Sequence, residues 1–432
     1  MFLIKLFKSS IILFCMLIPG SLLADKMIFA PDMFVKPAFL ATLGFYRVTR
    51  FELEILTGIA ISLPADIAVV KLASLDDPET ASDDDELTGY ATDSGLNVMV
   101  YNRTPASIQV YGATNFEEKF SSPSGIDADE QGRIFVADEN NNRVVFLSND
   151  GNRIEPVNQV FLDGSPYDIT HDQEGDLYVS VPDKGHIAKI EKTSITKRIS
   201  DPAIKSPTGI KFISTNDKWN FYRSDFLAVI NNKNEIITMT AEGRILKTNN
   251  LESFFKKEVS LQYLTIDYYA NILVTDKKNN CIHKLDKDLK YIASFKKLEG
   301  EPALSRPKGI DIGRRFGQVF IVEKEGGRYY WTGIDVLQFK VLSGKDQFKV
   351  NYHCTDPFLI TMDLFDEDDN VVKSIYKKKF IMDWQGEFII DLLNNKGMKI
   401  PKGEYLLKCR IEPTYSSRTR FYKIIEREIT LE

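Results

Sequence analysis

The run from Ser122 to Leu147, SPSGIDADEQGRIFVADENNNRVVFL, constrains this chain more than any other stretch. Pro123 and a Gly-Ile pair open a short strand, and Gln131 and Gly132 make a turn. Ile134 to Ala137 forms a second strand, and a polar run ending at Asn142 leads into a third, Arg143 to Leu147. Short alternating strands joined by polar turns make an antiparallel meander. The same grammar recurs from Pro64, Pro123, Pro166, Pro207, Tyr263 and Pro307, at intervals of 59, 43, 41, 56 and 44 residues. Three intervals fit a four-stranded propeller blade of roughly 40–45 residues. The two long ones need insertions. One holds the acidic run Asp76 to Glu86, which reads as a solvated loop. The other, Ser214 to Asp225, carries Trp219, Phe221 and Tyr222 in polar surroundings, either folded back onto the blade or offered to a partner.

One blade exposes both faces of a small sheet and cannot bury its apolar residues alone. Stacking blades radially covers those faces, so the repeats predict a closed ring. The last unit, from Pro307 to about Val341, spans only 35 residues, enough for three strands. The missing strand is expected from the segment 25–63, with Met27 to Lys36 as the candidate. In that segment Thr49 and Glu52 have capping-box spacing and Gly58 is a stop, which predicts a helix from about Arg50 to Leu56.

The stretch GIDADEQGRIFVADENNNRVVFL resembles an NHL repeat, with Pro-x-Gly-Ile, a Gly turn, Val-Ala-Asp and Asn-x-Arg-Val. The unit at 263 keeps Asp276 and Asn280 but has Cys281 in place of the Arg; the unit at 64 keeps Asp93 and Asn97. The units at 166, 207 and 307 keep the opening and lose the Asp. The resemblance implies an all-β fold with a six-bladed propeller over residues 64–341. Asp93, Asp138 and Asp276 end strands before polar turns, where a carboxylate accepts local N–H groups, so these are structural residues.

Beyond Val341 the stretch LSGKDQ reads as a linker. After it, Phe348, Val350, Tyr352 and Cys354 share one strand face, as do Ile360, Met362 and Leu364, and then Tyr405, Leu407, Cys409 and Ile411. Residues 345–432 therefore predict a small β-sandwich. The run NNKGMKIPKGEYLLKCRIE resembles the end of a FlgD-type immunoglobulin-like domain, here with Gly397, Pro401, Gly403 and Tyr405. Trp384 and Gly386 stand where that family often has Trp-Asp-Gly, with Gln385 for the Asp. Such domains serve as C-terminal accessory or docking modules in secreted bacterial proteins. Cys354 and Cys409 both point into the expected core and are either a disulfide or two buried thiols.

At the N-terminus, Lys5 and Lys8 precede an apolar run from Ile11 to Ile18, with Ala24 before a cleavage point. The run is short for a span of about 20 residues, so residues 1–24 read as an export signal. The protein is then expected in the periplasm, at the outer surface or outside the cell, with no membrane span after cleavage. At 432 residues two domains are the starting expectation. The net charge of −6 and the lack of a Lys/Arg cluster argue against nucleic acid.

Chemistry is sparse. The four histidines, His171, His186, His283 and His353, are not spaced to share a metal, and no Gly-x-Ser-x-Gly is present. Asp366, Asp368 and Asn370 alternate in an acidic turn, but Val371 and Lys377 stand where an EF-hand needs Gly and Glu. Four residues after each opening stand Ala68, Asp127, Thr170, Lys211, Asp267 and Asp311. Asp127, Asp267 and Asp311 could converge on the channel and hold a cation such as calcium, or a cationic side chain. Alternatively each bonds backbone N–H groups of its neighbour, with Lys211 as a further partner. The lack of a convergent catalytic set favours a binding scaffold for a protein or glycan of the cell envelope, with no cofactor. The alternative is a metal-dependent lyase or lactone hydrolase using the channel.

Overall fold

The computed structural model describes residues 27–37, 47–74, 87–104, 107–112 and 119–431. The expected export signal, residues 1–24, and the acidic run 76–86 lie outside them. No helix among the described residues is long and apolar enough to cross a membrane. The chain is all-β, and its described strands gather into eight sheets. Five are antiparallel meanders of four consecutive strands; the first takes Pro64–Val70, Thr88–Asp93, Val98–Thr104 and Ser107–Tyr111. The other four open with Pro123–Ala128, Ile169–His171, Pro207–Ile213 and Leu261–Ile266. A sixth sheet has three successive strands, Ile310–Gly313, Gln318–Glu323 and Gly326–Thr332. First strands neighbour one another in chain order and the sixth neighbours the first, so the sheets close into a ring.

The outer side of the sixth sheet is built from the N-terminal segment. Phe34 and Val35 pair with Thr332 and Trp331, and Arg47–Thr49 pairs with Arg328, Gly327 and Gly326. Phe34 is 1% exposed, and its ring lies 4.9 Å from Phe295 and 6.1 Å from Tyr330, bridging the fifth and sixth sheets. The helix Arg50–Thr57 follows, with the Thr49/Glu52 capping box formed and Gly58 closing it at φ 72°.

The inner strands are held together by side chains that reach across to the next sheet. Asp66 accepts the Ile126 N–H at 3.1 Å and Asp168 that of Ile210 at 2.8 Å. Asp127 accepts the His171 N–H at 3.0 Å, Thr170 that of Phe212 at 3.1 Å, and Asp311 that of Val69 at 2.8 Å. Each acceptor serves the residue one place further along in the next sheet, which satisfies buried donors that have no strand partner. Gly125, Gly209 and Gly309 alternate with these larger residues. A Cβ on any of them would come within 3.0 Å of the Cα of Asp168, Tyr263 or Asp66. Burial, and then the neighbouring Asp168 carboxylate, pushes Asp66 well above the ordinary range; burial pushes Asp168 up to about 7.

The C-terminal part begins earlier than the composition change suggested. The stretch LSGKDQ is not a linker: it is the turn of a hairpin joining Val336–Ser343 to Gln347–Cys354, with Ser343 opposite Phe348. Gly, Asp and Ser serve hairpin turns as readily as linkers, so composition alone could not separate them. These two strands and Gln385–Asp391 form one sheet; Phe358–Phe365, Val371–Ile381, Gly403–Pro413 and Lys423–Leu431 form the other. Both bury side chains in a shared core, including Phe348, Val350, Tyr352, Ile360, Met362, Leu407 and Ile411. Cys354 and Cys409 lie in that core as free thiols, not as a disulfide. Cys354 ends its strand just before Phe358, whereas Cys409 stands opposite Met362.

Two measurements test this description. Phe34→Ala should lower the unfolding free energy by about 3–5 kcal/mol, read by denaturant melts; an unchanged midpoint would show that the N-terminal strand does not hold the ring. The second concerns Asp66 and Asp168. A carboxyl with a raised folded pKa stabilises the fold fully below its unfolded value, near 4, and loses that contribution as pH rises through its folded value. The melting temperature should therefore fall between about pH 4 and pH 7, and Asp168→Asn should flatten the slope. Equal slopes in both proteins would place the titration elsewhere.

Candidate functional site

The register of the fifth repeat decides which carboxylates meet. Pro64 stands opposite Asp93, Pro123 opposite Asp138 and Pro207 opposite Asn231. In the fifth sheet the residue opposite Asp276 is Leu261, so the unit opens at Leu261 and not at Tyr263. Four residues on stands Thr265, not Asp267. Asp267 belongs to the following turn, where it accepts N–H groups of Tyr269 at 2.9 Å and Asn271 at 2.8 Å. Asp129 does the same for Gln131 and Arg133 at 3.0 and 2.9 Å. The expected convergence of Asp127, Asp267 and Asp311 on one cation therefore does not occur.

Asp127 and Asp311 do meet, and Lys211 lies between them. Its Nζ is 3.0 Å from Asp127 Oδ1 and 3.4 Å from Asp311 Oδ1. Thr265 Oγ1 donates to Asp311 Oδ1 at 2.9 Å. Burial alone would raise the Asp127 carboxyl, but Lys211 and His171 overcome it and hold the group well below the carboxylate range. Burial opposes the Lys211 ammonium, yet Asp127 and Asp311 raise its pKa above the lysine value. On the other side of Asp127, His171 places Nδ1 at 2.7 Å from Oδ2, and its side chain is 22% exposed.

Above this group opens a cleft of about 470 Å³ at the mouth of the channel. Lys211, Asp127 and His171 form its floor, and loops of several sheets form its walls. The inserted loop contributes Asp217 and Trp219; the turn after Ile310–Gly313 contributes Arg314, Arg315 and Phe316. Asp217 pairs with Arg314. The Arg315 guanidinium lies 5.4 Å from the Trp219 ring and 4.5 Å from that of Phe316. Of the aromatics expected at a partner surface, Trp219 thus faces the cleft. Phe221 instead packs on Tyr268, Tyr269 and Phe380, at 5.8, 5.5 and 6.1 Å, and Tyr222 lies under Lys287 at 5.2 Å.

The turn aspartates act on the backbone. Asp93 accepts from Ser62, Gly95 and Leu96 N–H, Asp138 from Ser121, and Asp276 from Ser260, Lys278 and Asn279. Two further residues fill this role where the repeat loses its Asp. Asn231 accepts from Lys205 and Ser206, and Glu323 from Ser305. Their place at the end of the second strand was the available signal. Bases pair with three of the acids: Arg143 with Asp138 at 2.7 Å, Arg328 with Glu323 at 2.6 Å and His283 with Asp276 at 3.2 Å.

Asp276, Cys281 and His283 offer donor atoms close enough for a metal. The hydrogen bonds account for them without one, since His283 Nε2 faces Asp276 Oδ2 and Nδ1 faces Ser294 Oγ at 2.8 Å. The other histidines are scattered: His171 on Asp127, His186 3.5 Å from Asp163, and His353 beside Trp384 at 5.0 Å.

Residues 120–145, which lie in the second sheet, match the NHL repeat. No curated protein matches the chain in sequence. Among solved structures it is similar to virginiamycin B lyase from Staphylococcus aureus, at 18% identity over 56% of this chain and 76% of that one, with a TM-score of 0.43. It is also similar to a gluconolactonase from Xanthomonas campestris, at 12% identity over 62% and 86%, with a TM-score of 0.43. A third is PorZ, a surface component of the type-IX secretion system of Porphyromonas gingivalis, at 12% identity over 84% of this chain and 51% of that one, with a TM-score of 0.41. These neighbours are β-propeller proteins. The meander sheets, closed into a ring through their first strands, form a β-propeller, and residues 120–145 of it match the NHL repeat.

Proposed function

We propose that this protein is an exported, non-enzymatic binding scaffold. The cleft at the channel mouth, with Trp219 on its wall, takes a polar segment of a protein or glycan of the cell envelope. The C-terminal sheets, read as a FlgD-type immunoglobulin-like module, serve in docking. One observation carries this reading: Lys211 stands between Asp127 and Asp311, so these carboxylates are committed to a cation of the chain itself. The rim above them mixes charge with aromatic surface, as sites for polar ligands do.

A photocrosslinking residue in place of Lys218, on the rim, tests the reading in cells; the same residue in place of Lys233, at the other end of that sheet, is the control. One dominant envelope adduct from position 218 alone is the expected result. Equal or scattered capture from both positions would remove the cleft from consideration.

One observation favours an enzyme instead. His171 is oriented by a buried carboxylate at 2.7 Å while part of its ring stays accessible in the cleft, as a general base would be held. On that reading the protein hydrolyses a lactone, and His171→Asn lowers the rate by about 100-fold or more. The absence of any lactone turnover by the intact protein would dispose of it.

A further inference from the structure

Two of the loops that wall the cleft, the inserted loop and the turn Arg314 to Gly317, rest on the C-terminal sandwich. The inserted loop is tied to the fifth sheet by the Phe221 N–H on the Tyr268 carbonyl at 2.9 Å. Its Phe221 ring then meets Phe380 of the sandwich, as does Tyr269 at 6.3 Å. The second loop, Arg314 to Gly317, is backed by Tyr415. Gly317 has no side chain there, and a Cβ would fall 2.7 Å from the Tyr415 ring. Ser416 N–H reaches the Phe316 carbonyl at 3.4 Å, and Ser417 Oγ donates to the Thr332 carbonyl at 2.5 Å. Tyr415 is 4% exposed and Ser417 1%.

The contact is fastened by a buried charge group. Lys284, in the fifth sheet, places Nζ 2.6 Å from Asp356 of the sandwich and 3.4 Å from Asp267. All three are 2% exposed or less. Breaking one partner of a buried pair leaves an uncompensated charge, so such a group resists separation of the two bodies. A second tie joins Lys423 to Asp335 at 3.1 Å and to Asp32 of the N-terminal segment.

We infer that the sandwich is a structural support of the cleft: its docking fixes the loops that carry Trp219, Arg314 and Arg315, so docking and binding in the cleft are coupled. The inference rests on the cleft being the binding site. A ligand that needs both loops in place binds the docked form better, and by linkage stabilises the docking in return. A free-swinging module would have no such effect.

Hydrogen exchange on the full chain tests this without a ligand. In Phe380→Ala/Tyr415→Ala, amides of 214–225 and 313–317 should exchange about tenfold faster or more, while those of 133–149, in the second sheet, keep their rates. Unchanged loop exchange beside faster exchange in 403–413 would overturn the inference. If 133–149 also loosen, Phe380→Leu alone decides: faster exchange in 214–225 supports coupling and unchanged exchange refutes it. Because no ligand is involved, failure here leaves the crosslinking result standing. Scattered crosslinks beside loosened loops would refute the binding reading alone.

Discussion

The propeller depends on how the N–H groups of its innermost strands are satisfied. Each inner strand belongs to a different sheet from its neighbours, so part of its backbone has no strand partner within its own sheet. Buried donors must still be paired, because an orphan costs about 1–3 kcal/mol. Here the partners are side chains, with Asp66, Asp127, Thr170, Asp168 and Asp311 each bonding the next sheet. The seam needs a side-chain oxygen that reaches across it, supplied by four carboxylates and the Thr170 hydroxyl, and glycines stand opposite the larger residues because two large side chains cannot share one level.

Much of this is written in the sequence. The period, the polar turns and the role of Asp93, Asp138 and Asp276 all follow from the residues at the ends of short alternating runs. Asp127 and Asp311 were legible as axial groups because Pro123 and Pro307 fix the count. The fifth unit was misread by two residues because Leu261 opens it in place of Pro, and a shift of two keeps every side chain on the same face. Alternation is blind to that error. The distance to the strand-end Asp is what reveals it, since Leu261 stands as far before Asp276 as Pro123 stands before Asp138.

The hairpin at LSGKDQ was hidden for a related reason. The strand before it, Val336–Ser343, follows the ring directly, with only Gly333 to Asp335 between. A count of blade lengths assigns such a strand to the ring. In the structure, Phe34 and Val35 take the outer place in the sixth sheet, leaving Val336–Ser343 to start the sandwich. The N-terminal strand thus decides where the ring ends, although the two lie almost 300 residues apart in the chain.

An axis lined by carboxylates has to neutralise them, and the means chosen bears on function. Asp66 and Asp168 are moved by burial toward the protonated form. Asp127 and Asp311 receive an ammonium from Lys211, and all four accept backbone N–H groups or lie beside them. Protons, a lysine and the backbone together occupy the roles a bound cation would fill, and they do so as part of closing the ring. On the binding reading proposed above, the chemistry that meets a partner lies further out, where insertions rather than repeats supply the residues. Loop 214–225 and the sandwich are the additions that reach that level, and they meet at Phe221 and Phe380. The repeats build the ring; what distinguishes its mouth comes from the parts of the chain that do not repeat.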